Sequence, residues 1–88
     1  MDKKTRLLKE RERRELDVAE YQFNIDLYEG YLNEAALRST PDKAALSAFV
    51  DDLHQRIAAE RLEQLKSTVM LAAVQQQLAK LPVDEAPK

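Results

Sequence analysis

Apolar residues recur along the first half of the chain at spacings of three and four, the period of an amphipathic α-helix. This spacing defines two stripes on roughly opposite sides of the helix, separated by charged and amide residues. The first stripe comprises Val18, Tyr21, Ile25, Tyr28, Leu32 and Ala35. The second stripe comprises Leu16, Ala19, Phe23, Leu27 and Tyr31. A single neighbouring helix can cover only one of them, so the pattern predicts a second contact surface.

The second half of the chain follows a sharper heptad frame, with alternating steps of four and three residues. The frame comprises Leu46, Val50, Leu53, Ile57, Glu60, Gln64, Ser67, Leu71, Val74, Leu78 and Leu81. Three consecutive positions in its middle are polar. A second apolar line turns away from the frame by roughly a third of the helix circumference. That line comprises Ala58, Leu62, Leu65, Val69 and Ala72.

Helix-breaking residues divide the chain into two long segments. Gly30 is the only residue in the first segment that disfavours a helix, so one helix is predicted over about 3–38. The sequence Ser39-Thr40-Pro41-Asp42 predicts a turn over 39–41, with Thr40 as N-cap and Pro41 in the first helical position. The second helix is predicted over about 41–81.

Pro82 blocks continuation of the second helix, and residues 82–88 indicate a polar tail. Because the connection is short, the two helices are expected to fold back antiparallel. The predicted fold class is therefore all-α: a helical hairpin over residues 1–81 that assembles into a four-helix bundle or a larger helical assembly.

A fold-back near Ser39 and Thr40 makes facing residue numbers sum to about 80. The three polar frame residues then form a polar layer in the hairpin seam. We hypothesise that Arg13 pairs with Glu60 in that layer and fixes the register, as isolated polar core groups can.

The composition limits which classes of protein are compatible with the chain. Its 88 residues suffice for one small domain, and the absence of cysteine excludes disulfides and Cys-based metal sites. The N-terminus lacks the apolar stretch of a secretory signal, and the longest apolar run, Val69 to Val74, is far shorter than the roughly 20 residues that span a bilayer. A cytoplasmic location without membrane contact is predicted.

Candidate catalytic chemistry is sparse. His54 is the single histidine, and no Glu-x-x-His motif or glycine-rich phosphate loop is present. His54 is therefore interpreted as a surface or interface residue one turn from Asp51. The sequence predicts a protein that is not an enzyme and that carries no catalytic residue, cofactor or metal.

The N-terminal arm is the most basic part of the chain. Residues 1–14 hold seven Lys and Arg against three Asp and Glu, whereas residues 15–88 hold seven against thirteen. The arm's cations are Lys3, Lys4, Arg6, Lys9, Arg11, Arg13 and Arg14. Clustered cations on a helix can contact phosphates, but interleaved acids leave no clean basic stripe, so these residues are candidates for either nucleic acid or an acidic protein partner.

The leading interpretation is a small non-enzymatic oligomerisation or adaptor protein that acts through helix–helix contacts with itself or with another helical protein. The predicted protein interface comprises Leu16, Phe23, Leu27, Tyr31, Leu62, Leu65 and Val69. A short, cysteine-free, charge-rich helical chain of this kind also suggests an accessory or structural component of a phage or mobile element. The alternative is a nucleic-acid-binding regulator that uses the basic arm of a dimeric hairpin.

Overall fold

The computed structural model describes residues 2–82 and confirms the predicted all-α hairpin. Helix α1 spans Lys3–Ala36 and helix α2 spans Lys43–Ala79. At 1.5 Å per residue each helix is roughly 50 to 55 Å long. The predicted polar tail, apart from Pro82, lies outside the described residues. Over residues 2–82 neither helix carries an apolar stretch long enough to cross a membrane.

Aspartate side chains cap the start of both helices. Asp2 accepts a hydrogen bond from the Thr5 amide at 2.7 Å, and Asp42 accepts one from the Ala45 amide at 2.9 Å. The N-cap of α2 is therefore Asp42 rather than the predicted Thr40. The Thr40 hydroxyl instead accepts a hydrogen bond from the Asp42 amide at 3.3 Å, so the two side chains act in succession along the turn.

The connection is longer than the predicted turn over 39–41. The last turn of α1 tightens, because the amides of Leu37 and Arg38 donate to carbonyls three residues earlier. The chain then runs past the end of α1 before α2 begins at Lys43. Helix α2 tightens in the same way after Ala79, where the Leu81 amide donates to the Leu78 carbonyl.

The first stripe of α1 and the heptad frame of α2 form the seam between the helices. Every residue of both sets is buried or half-buried. Ile25 and Leu53 are the least exposed apolar side chains, at 3% and 2%. The buried apolar residues of the seam are Ile25, Ala35, Leu53, Ile57 and Val74. The three-and-four spacing thus identified the packed face of each helix.

A polar layer interrupts this seam at its middle, but its partners differ from those predicted. Glu60 accepts a hydrogen bond from the Asn24 side chain, whereas Arg13 is exposed. Gln64 donates to the Val18 carbonyl at 3.2 Å and to Gln22 Oε1 at 3.0 Å. The hypothesis of an Arg13–Glu60 pair is therefore wrong.

The predicted pair is wrong because the two helices pack in a different register from the one assumed. The numbers of Asn24 and Glu60 add to 84, not to about 80. In this register the first turn of α2 extends beyond the last residue of α1, because the chain rises past Ala36 before it reverses. Glu60 consequently lies opposite the middle of α1, well away from the basic arm.

Arg14 is the one arm cation that is half-buried against the seam. Its guanidinium donates to Glu10 at 2.7 Å and to Asp17 at 3.1 Å, one turn to either side. The hydrogen bond to Glu10, followed by the charges of Glu10 and Asp17, raises the pKa of Arg14 above its ordinary value. Its charge is therefore satisfied within α1.

Candidate interaction surface

The second stripe of α1 is exposed along the side of the helix that faces away from the seam. Leu16 and Phe23 each remain 64% exposed, Tyr31 43% and Leu27 40%. Ala19 is exposed between them. We call this stripe, Leu16, Ala19, Phe23, Leu27 and Tyr31, the α1 outer face. It covers four turns, with an aromatic ring near its centre.

The second line of α2 is likewise exposed. Leu62, Leu65 and Val69 are 53%, 59% and 61% exposed, and the alanines at either end of the line are also exposed. We call this line, Ala58, Leu62, Leu65, Val69 and Ala72, the α2 outer face. All seven residues that the sequence proposed as a protein interface thus lie on one of the two outer faces and are solvent-accessible in the single chain.

The structure also exposes large apolar residues that the stripes did not include: Leu8, Leu37, Phe49 and Met70. Phe49 lines a shallow depression of about 300 Å³ near the turn, together with Tyr31 and Leu46. Its lining on the α1 side runs from Tyr31 to Arg38, alongside Leu46 and Phe49 of α2. Only knowledge of the register would have revealed it from the sequence.

The aromatic residues at the turn-proximal end of α1 contact each other. The rings of Tyr28 and Tyr31 lie 6.2 Å apart at 63°, an edge-to-face arrangement. Tyr28 is half-buried on the seam side, whereas Tyr31 belongs to the α1 outer face. This pair therefore connects the packed side of α1 to its exposed side.

The basic arm presents most of its charge to solvent. Six of its seven cations are exposed, and the exception is Arg14. Their positions at Lys3, Lys4, Arg6, Lys9, Arg11 and Arg13 are distributed around α1 rather than along one side. The structure therefore does not gather them into a single basic stripe.

Charged groups elsewhere pair mainly within their own helix. Arg56 donates to Asp52 at 2.7 Å, and this hydrogen bond is the first cause of the raised pKa of Arg56. One ion pair crosses the hairpin, between Arg61 and Glu29 at 3.1 Å. These exposed pairs each contribute on the order of 0.2 to 1 kcal/mol.

His54 is exposed one turn from Asp51, which is also exposed. Over the part of the chain that the structure describes, no group of three or more histidine and acidic side chains is placed to hold a metal ion. The surface that residues 2–82 expose consists of apolar helix side chains and charged groups.

No family model, curated protein or solved structure matches this chain.

Proposed function

We propose that this chain is a small non-enzymatic oligomerisation or adaptor protein that acts through helix–helix contacts. The observation that carries the proposal is the exposure of two apolar outer faces, one on each helix, whose central residues Phe23 and Leu65 are 64% and 59% exposed. Contiguous apolar surface of this kind typically marks a protein–protein interaction site. A partner helix with apolar residues at three-and-four spacing fits such a face.

The energetics of the hairpin support this proposal. The seam fully buries five apolar residues, and one of them is the small Ala35, so the core of the single hairpin is modest. Covering the outer faces would add buried apolar area at about 25 cal/mol per Å² without ordering further backbone. Assembly is thus a direct route to a stable fold.

The cellular setting belongs to the same proposal. The chain has no cysteine, which suits the reducing cytoplasm. Its small size, high charge and helical fold suit an accessory or structural component of a phage or mobile element, which would work by binding other proteins.

A second candidate function, nucleic-acid binding through the basic arm, has one observation in its favour: six of the seven arm cations face solvent. Binding of duplex DNA and of single-stranded RNA, each measured at low and at high salt, tests it. Phosphate contacts weaken steeply with salt because counterions are released, whereas apolar packing does not. Tight, salt-sensitive binding that is lost when Lys3, Arg6 and Lys9 become Gln would favour this candidate.

The main proposal is tested by sedimentation and by capture of partner helices with the full chain. Phe23→Ser is expected to weaken self-association or partner capture, because it removes the ring at the centre of the α1 outer face. Leu37→Ser is the matched control, since Leu37 is 78% exposed but lies beyond the end of α1. A folded chain that stays monomeric and captures no helical partner, with or without Phe23, contradicts the proposal.

A further inference from the structure

We infer that the partner of these faces is a second copy of the chain, with the α2 outer face of one copy packed antiparallel on the α1 outer face of the next. The inference rests on the proposed function and specifies its partner and geometry. It is supported by the register of the two faces, the sizes of their side chains and the surface area of the hairpin.

The two outer faces lie at the same height along the hairpin. Hydrogen bonds across the seam join Asn24 to Glu60 and Gln22 to Gln64, pairs whose numbers add to 84 and 86. On the outer faces, the pairs Leu27 with Ala58, Phe23 with Leu62, and Leu16 with Val69 each add to 85. A second copy placed beside the first in the same orientation therefore brings the faces together without axial slip.

The side chains that would meet in this arrangement complement each other in size. Leu27 is set against the small Ala58, and Leu65 against the small Ala19. Alternation of large and small residues across facing positions lets helices interdigitate. At the border of the interface Lys66 would lie near Glu20, which adds a pair of opposite charges.

The direction of the outer faces selects a row of hairpins rather than a closed four-helix bundle. In a four-helix bundle each helix contacts two neighbours on adjacent sides, so its two apolar surfaces adjoin. Here Phe23 lies on the side of α1 opposite the seam residue Ile25 and is 64% exposed, so the two apolar surfaces of α1 do not adjoin. The α2 outer face lies about a third of the circumference from its own seam side. A heterologous contact of this kind, between two different faces, repeats from copy to copy and yields a ring or an open row of hairpins.

The exposed area of the hairpin matches two such contacts per copy. The accessible surface of the chain is 6864 Å². A compact monomer of this mass is expected to expose about 5,300 Å², so the excess is about 1,560 Å². A standard interface buries about 800 Å² on each partner. Covering both outer faces with further copies therefore accounts for the excess.

The salt dependence of assembly distinguishes this arrangement from its main alternative, a two-fold contact between two α1 outer faces. Side-by-side copies in one orientation bring their basic arms to the same edge, where they repel, so salt should promote assembly. In a two-fold contact between two α1 outer faces centred on Phe23, each arm lies at the level of residues 32–52 of the other copy, which hold four acidic residues against two basic ones. Salt should weaken that competing arrangement.

Cysteine cross-linking tests the geometry, because the natural chain has no cysteine. Ala19→Cys in a tagged chain is mixed with Leu65→Cys in an untagged chain and oxidised. The expected product is the mixed dimer, because facing positions bring Cα atoms close to the 4.4 to 6.8 Å range of a disulfide. Ser47→Cys replaces Leu65→Cys in the control, since it is also exposed on α2 but about 27 Å further along the helix.

The outcomes separate this inference from the proposed function. A dominant mixed dimer, together with severalfold stronger self-association in about 500 mM than in about 50 mM salt, supports the inference. Efficient self-cross-linking of Phe23→Cys, with salt weakening assembly, overturns the inference but leaves the proposed function in place. A monomer that captures other helical proteins through Phe23 also overturns the inference and leaves the proposed function in place. A monomer that captures nothing overturns both.

Discussion

The Asn24 side-chain amide donates a hydrogen bond to the Glu60 carboxylate across the middle of the seam. Apolar residues flank this contact along both helices, with Ile25 and Ile57 buried beside it. An apolar seam with heptad spacing would tolerate a shift of one helix by a full heptad, because apolar residues would still meet apolar residues. A shift by one heptad would move Asn24 about 10 Å along the seam from Glu60. The pair therefore favours the observed register over heptad-shifted ones.

Replacing Asn24 by Leu is expected to destabilise the hairpin by about 1 kcal/mol, because Glu60 then loses its partner in a partly buried setting. The double variant Asn24→Leu with Glu60→Leu should regain that loss or exceed wild-type stability. Urea unfolding at one fixed protein concentration measures both. Asn33→Leu is the control: it changes an exposed asparagine of α1 and should shift stability by less than about 0.5 kcal/mol. Additive costs of the two single substitutions would contradict the assignment.

The sequence was sufficient to predict the packed faces but not their alignment. Burial follows periodicity, so the stripe through Ile25 and the frame through Leu53 were identifiable from spacing alone. Alignment depends on the path of the connection. The Thr40 hydroxyl and the Asp42 carboxylate both accept backbone hydrogen bonds in that connection, and α2 begins beyond the end of α1. Because either residue could cap α2, the sequence does not determine at which residue the helix begins. A different first residue of α2 would change which residues of the two helices face each other.

The same limit applies to the candidate surface. Exposure of Phe23 and Leu65 was predictable, because a helix with two apolar sides and one neighbour must leave one side uncovered. The depression beside Phe49 was not predictable, since it depends on which residues of α1 lie beside Leu46 and Phe49 of α2. The match in height between the outer faces also required the observed register.

Asp42 is expected to contribute about 1 kcal/mol as the N-cap of α2. Its carboxylate satisfies the Ala45 amide, so Asp42→Ala leaves that donor without a protein partner. The transition midpoint in thermal unfolding should fall by roughly 4 to 8 °C for a domain of this size. Asp42→Asn should retain most of the stability, because an amide oxygen also accepts at this position. Asp51→Ala removes the same charge from an exposed position in the third turn of α2, and an equal loss there would assign the effect to charge rather than capping.

Asp2 should make the first turn of α1 sensitive to acid. Its hydrogen bond with the Thr5 amide lowers the pKa of Asp2 in the folded chain below its ordinary value of 3.8. A lowered folded pKa means that the capping contribution is fully present above the ordinary value and is lost as pH falls through the folded value. Protection of the Thr5 amide from hydrogen exchange should therefore decline below about pH 4, after correction for the intrinsic exchange rate. Asp2→Asn should abolish this pH dependence, and an unchanged profile in that variant would contradict the assignment.

Gly30 is expected to cost helix stability without serving the packing of the single chain. Its backbone has no positive φ, and a Cβ added there would meet nothing within 4 Å. Gly30→Ala should therefore raise the free energy of unfolding by about 0.5 to 1 kcal/mol, because alanine loses less backbone entropy in a helix. Chemical unfolding at low protein concentration, where the isolated hairpin dominates, measures this gain. Ala48→Gly, at an exposed helical position of α2, should lower the free energy of unfolding by a similar amount.

The position of Gly30 beside Leu27 and Tyr31 gives the same variant a second expected effect. In the side-by-side packing inferred above, position 30 lies opposite Gln55 of the neighbouring copy, where an added methyl group would meet the facing helix. Gly30→Ala should then weaken self-association while it stabilises the isolated hairpin. Sedimentation over a range of protein concentrations separates the two effects. A variant that is both more stable when dilute and more strongly associated would show that no partner approaches α1 closely at this residue.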